Sequence, residues 1–66
     1  METSIKAEKA IKAISQLSPA YKAVFNLYVV EGYTHKEIAE YLGVSEGTSK
    51  SNLAKAKQKL RTLLSE

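Results

Sequence analysis

Apolar residues recur every three to four positions along most of the chain, and no stretch alternates as a half-buried strand would, so the pattern predicts an all-α fold. The first helix is expected from about Ser4 to Gln16, with Ile5, Ala7, Ala10, Ile11, Ile14 and Leu17 at helical spacing. Ile5, Ile11 and Ile14 would complete the core, while Lys6, Lys9 and Lys12 form a solvated face. Ser18 before Pro19 reads as an N-cap followed by proline at the first helical position, where its missing N–H is not needed. The second helix then turns Ala20, Val24, Phe25, Leu27 and Tyr28 inward, and Gly32 ends it in the left-handed conformation.

Thr34 and Glu37 stand three apart as a capping box, in which hydroxyl and carboxylate each satisfy a backbone N–H that the helix start leaves free. The third helix places Ile38, Ala39 and Leu42 inward and stops at Gly43 after about two turns. Val44 is expected as a buried pin in the turn, and Ser45 as the N-cap of a fourth helix, with Glu46 against the positive end of its dipole. That helix runs to about Leu64. At about 100° per residue, Leu53, Ala56, Leu60 and Leu64 form one stripe with Ser49 at its edge, and Thr48, Ser51, Lys55, Gln58 and Thr62 lie opposite. A short helix, a glycine turn and a second helix with a polar outer face are the helix-turn-helix plan, placed at about residues 34–64 of a four-helix bundle.

The length, 66 residues, bounds the chain to one small domain, residues 1–66, too short to build a deep substrate cavity as well as a core. With 44% hydrophobic and 26% charged residues it reads as globular. The absence of cysteine excludes disulfides, thiolate zinc sites and thiol catalysis, and fits a reducing compartment. His35 is the one histidine, which leaves no His-based triad and no histidine cluster for a metal. No catalysis, cofactor or metal is therefore expected. The longest apolar run is far below the ~18 residues of a membrane span, and the polar N-terminus carries no signal pattern, so a cytoplasmic chain with no membrane association is expected.

Charge distribution says more than net charge. The net charge is +3, but from Gly47 to Arg61 stand five basic residues, Lys50, Lys55, Lys57, Lys59 and Arg61, and no acidic one. Such a stripe is the electrostatic footprint of a polyanion partner. The first turns of the fourth helix would offer Thr48, Ser51 and Asn52 to base edges, and Gly47 has no side chain to block close approach. Lys50 and Lys55 flank them, mixing base and phosphate contact. Thr34, His35, Lys36, Ser45, Lys57 and Lys59 would position the phosphate backbone, helped by free N–H groups at the two helix starts. His35 is expected as an exposed first-turn residue.

The stretch Leu17-Ser18-Pro19-Ala20-Tyr21-Lys22-Ala23-Val24-Phe25, then Glu31-Gly32-Tyr33-Thr34-His35-Lys36-Glu37-Ile38-Ala39, Leu42-Gly43-Val44-Ser45-Glu46-Gly47-Thr48 and Lys50-Ser51 resembles region four of the sigma factors of bacterial RNA polymerase. The resemblance is closest to the extracytoplasmic-function group and runs from Leu17 to Leu64. It implies a tetrahelical helix-turn-helix that recognises the double-stranded −35 promoter element as a monomer and docks on the β flap of the polymerase core, with an anti-sigma factor as a further partner. Phe25, Val29 and Val30 are the candidates for the docking surface. Three positions depart from the family pattern: Ser49 replaces a valine, Asn52 replaces an arginine, and Lys55 and Lys57 replace later arginines. Lysine lacks the bidentate guanine contact of arginine, and a buried serine without a partner loses about 1–3 kcal/mol. The chain has no room for region two, so the resemblance implies either an excised domain or a stand-alone protein that recognises promoter DNA without initiating transcription by itself. Two other readings share these residues. One is the helix-turn-helix output domain of a response regulator, and the other is a protein-interaction module that binds polymerase or an anti-sigma factor without DNA.

Overall fold

The structure, a computed structural model, describes residues 2–65, with side chains described from residue 7 onward. The expectations at Ile5 and Lys6 therefore lie outside the described side chains. Among the described residues the chain forms α1 (Glu2–Ser15), α2 (Pro19–Phe25), a π-helical turn (Asn26–Val30), α3 (His35–Leu42) and α4 (Glu46–Leu64), with no strand.

The core-facing stripe is Ala10, Ala13 and Ile14 of α1 with Leu17 just beyond its end, spaced i, i+3, i+4 and i+7, of which Ala13 and Leu17 are buried. Ile11 falls outside it and is 67% exposed, which corrects its expected place in the core. It lies about 200° around the helix from Ala13, and no other element covers that side.

Ser18 takes the extended backbone of an N-cap and Pro19 stands at the helix start, but the Ser18 side chain makes no capping hydrogen bond. The first helical bond runs instead from the Lys22 N–H to the Ser18 carbonyl, at 2.9 Å. Val24 is fully buried, whereas Ala20 is exposed, because Tyr21 from the next position packs on the core in its place.

The chain then widens. The Glu31 N–H donates to the Asn26 carbonyl at 2.9 Å, five residues back, and the Tyr33 N–H donates to the Leu27 carbonyl at 2.9 Å across Gly32, whose φ is +79°. A π turn holds an extra residue and rotates the downstream residues relative to an α-helical continuation. Tyr28, four residues after Val24 and expected on the same face, is carried to the surface with Val29 and Val30.

The core has two clusters. Ala13, Leu17, Ala56 and Leu60 join α1 to α4, with Ile14, Tyr21, Phe25 and Leu63 packed around them. Val24, Ile38 and Leu53 join α2, α3 and α4, with Phe25, Leu27 and Leu42 around them. Phe25 touches both, so it is the hinge of the core. Leu64, expected in the α4 stripe, is 49% exposed and lines an open groove beside Lys9, Lys12, Ala13 and Gln16 of α1. Val44 is also not the buried pin its position implied, for Leu42 fills the space against Val24 and Ile38 and leaves Val44 at the rim.

Candidate nucleic-acid interface

Local hydrogen bonds set the two helices of the motif. The Thr34 hydroxyl accepts from the Glu37 N–H at 3.1 Å, and the Glu37 carboxylate accepts from the Thr34 N–H at 2.9 Å, completing the capping box. Gly43 closes α3 at φ +71°, and the Val44 N–H returns to the Ala39 carbonyl at 3.0 Å. The Ser45 hydroxyl accepts from the Thr48 N–H at 3.0 Å and donates to Thr48 Oγ1 at 2.9 Å. The Ser45 side chain thus caps α4 and also orients the Thr48 hydroxyl. The first N–H groups of each helix, at His35 and Lys36 and at Glu46 and Gly47, have no intrahelical acceptor and point outward from the helix starts.

The core fixes which face of α4 is free. Ser49, Leu53, Ala56 and Leu60 are the buried residues of that helix. At about 100° per residue, Ser51, Gln58 and Thr62 project directly away from them. Lys55 and Lys59 fall to one side of that neutral polar strip, and Lys50, Lys57 and Arg61 fall to the other. All of these are exposed. Lys55 and Lys59, with Gln58 and Thr62, also line an open groove closed by Tyr21 of α2. The free face of α4 is therefore a neutral hydrogen-bonding strip between two cationic ones. That matches a helix lying in a groove with a phosphate wall on each side.

Gly47, Thr48, Lys50, Ser51, Lys55, Lys57 and Lys59 are all exposed along α4, and Ser45 stands exposed at its start. Asn52 is half-buried, on the side of α4 next to Ala56. Thr34 and Lys36 are exposed at the start of α3. His35 differs from its expectation: it is half-buried, its Nδ1 lies 2.9 Å from Ser49 Oγ, and its ring stacks on Tyr28 with centroids 4.4 Å apart and 21° between planes. Ser49 is 0% exposed and is the buried polar residue of the core. The penalty expected for a buried serine does not arise, because the hydroxyl has a partner.

Phe25, Val29 and Val30 separate in the same way. Val29 and Val30 are exposed at the end of the π turn, while the Phe25 ring is held between the two core clusters and is not a free surface. Gln58, Thr62 and Arg61 also belong to the basic face, and Tyr21 of α2 borders it. Helical periodicity already put Gln58 and Thr62 opposite the core, and only Tyr21 needed the packing of α2 on α4 to place it. Among the described residues no group of three or more His, Cys, Asp or Glu side chains could hold a metal ion, and no helix is long and apolar enough to cross a membrane.

The family model described as sigma-70, region 4, matches residues 7–60. No curated protein matches the chain.

Proposed function

The chain belongs to the sigma-70 region 4 family, and from that premise we propose that α4 enters the major groove of promoter DNA along the strip of Ser51, Gln58 and Thr62. Domains of this family are non-catalytic, bind the −35 promoter element and interact with RNA polymerase in transcription initiation. What this chain's own residues do is the further reading. Gly47, Thr48 and Ser51 face the bases with the half-buried Asn52 at the edge of that set, Lys50 and Lys55 mix base and phosphate contact, and Thr34, His35, Lys36, Ser45, Lys57 and Lys59 position the backbone. Gln58, Arg61, Thr62 and Tyr21 extend that footprint.

The observation that carries this reading is the free face of α4, a neutral polar strip opposite the core with a cationic strip on each side. A helix packed for a protein partner would instead expose an apolar stripe there. Exposed apolar side chains do occur outside that face, at Val29 and Val30, and these are the docking candidates for the polymerase flap. Phe25, half-buried between the two core clusters, is the third candidate and the least accessible of them. The protein acts as a cytoplasmic monomer of the extracytoplasmic-function type, with residues 1–66 as one recognition domain and an anti-sigma factor as a further partner.

An NMR titration of labelled protein with a short duplex at two salt concentrations tests the reading. Shifts should concentrate on Thr34 to Lys36 and on Ser45 to Arg61, and fade as salt rises. If they map to Val29 and Val30 alone, or nothing moves, a protein-interaction module is the better description.

A further inference from the structure

We propose that the buried hydroxyl of Ser49 selects the tautomer of His35 and holds its ring so that Nε2–H faces outward as an uncharged donor to a DNA phosphate. The inference rests on the DNA-binding reading, and it assigns Ser49 and Tyr28 as positioning residues for a contact made by His35.

Satisfaction of polar atoms decides the tautomer. Ser49 Oγ is fully enclosed, and its hydrogen bond among the described residues is to His35 Nδ1, at 2.9 Å. A serine hydroxyl has one hydrogen to give, and a neutral imidazole carries one N–H and one lone-pair nitrogen. If Nδ1 held the hydrogen and donated it to Oγ, the Ser49 O–H would point into the core with no acceptor. An orphaned buried donor is costly, whereas the reverse arrangement leaves nothing unpaired. Ser49 therefore donates to Nδ1, and the ring hydrogen sits on Nε2. Hydrogen bonding at one ring nitrogen sets the protonation of the other in the same way at metal-bound histidines.

Nε2 itself has no protein partner, and no buried side-chain nitrogen or oxygen among the described residues lacks one, so Nε2 is open to solvent. Two contacts stop the ring from turning: the Ser49 hydrogen bond and the Tyr28 stack. The ring stands at the first position of α3, beside the outward N–H groups of that helix start and next to exposed Lys36. Those groups favour an anion in front of them. Ser49 lies in the first turns of α4, between Thr48 and Lys50. One hydrogen bond thus ties the phosphate-facing end of α3 to the base-facing segment of α4.

Two measurements together test this. Side-chain nitrogen NMR of the free protein at mildly alkaline pH should find the hydrogen of His35 on Nε2 and lone-pair character at Nδ1. A hydrogen on Nδ1 overturns the proposal without any variant being made. Binding to a fluorescent duplex is then followed across salt for wild type, H35A, H35Q, S49A and K55A, with folding of each checked by amide dispersion. H35A should weaken binding about ten- to hundredfold, the range of one hydrogen bond from a neutral donor to a charged acceptor, and leave the salt slope unchanged because no counterion is released. S49A should lose a similar factor, and the H35A/S49A pair little more than either alone. H35Q, which keeps an uncharged N–H donor, should recover part of the loss. K55A serves as the control, lowering the slope by about 0.9. If K55A lowers the slope while H35A binds as wild type does, DNA binding stands and the role of His35 falls. If neither variant changes binding, the DNA-binding reading fails and takes this inference with it.

Discussion

Alanine substitution of each cationic strip of α4 should read out, through salt, how the helix sits on DNA. The helix presents five exposed cations, Lys55 and Lys59 on one side of its neutral strip and Lys50, Lys57 and Arg61 on the other. If each displaces a counterion from duplex DNA, their combined slope of log affinity against log salt is about −4.5. Raising salt from about 50 to about 200 mM then weakens binding about 500-fold through these residues alone. The K55A/K59A variant should have a slope of about −2.7 and lose about 40-fold over the same step. The K50A/K57A/R61A variant should fall to about −1.8, with a loss of about 12-fold. Neither set should unfold the protein, since all five side chains are exposed and alanine has the higher helix propensity. Fluorescence anisotropy of a labelled duplex, titrated at four or five salt concentrations, measures each slope directly. A helix centred in the groove requires both strips to contribute. A change confined to one strip would refute the two-walled docking, and no change in either would reduce the basic face to a solvated surface.

Four further perturbations test other parts of the structure. G43A should destabilise by about 1–2 kcal/mol, because φ of +71° is a left-handed conformation and no atom lies within 4 Å of the added Cβ, leaving backbone strain as the whole effect; G43N should lose less in a urea melt, and equal losses would contradict that account. T34A should remove about 1 kcal/mol, and T34A/E37A little beyond it, since the two side chains form one capping box; additive losses in the same melt would refute the coupling. I38A empties a fully buried site among Val24, Leu53 and Leu42 and should lose about 2–5 kcal/mol, enough to leave so small a domain largely unfolded by circular dichroism at room temperature. N52A should change base preference in a binding selection more than it changes affinity, and equal losses on every duplex would remove Asn52 from the base-reading set.

Every feature legible in the sequence was one that neighbours in the chain decide. The capping box joins Thr34 to Glu37, the α4 cap joins Ser45 to Thr48, and Gly32 and Gly43 each end a helix by their own backbone freedom. Partners three to five residues apart meet whatever the rest of the fold does, so residue type and spacing suffice. The free face of α4 follows from the same periodicity once Leu53, Ala56 and Leu60 define its core side, and the run of five cations is simply counted.

Burial and long-range pairing needed the tertiary structure. Ile11, Val44 and Leu64 are apolar at helical or turn positions, yet each stays at the surface because no other element covers it. Tyr28 left the Val24 face when the helix widened at Asn26–Val30, a change of pitch that no hydrophobic pattern announces. Phe25 turned from candidate surface to the joint between two clusters because α2 packs along α4, which carries a part of each cluster. His35 and Ser49 stand fourteen residues apart and meet only through the packing of α3 against α4. In the sequence, Ser49 is a polar residue misplaced on an apolar stripe. In the fold it is a satisfied donor, because whether a buried hydroxyl destabilises depends on the partner that the chain brings back to it.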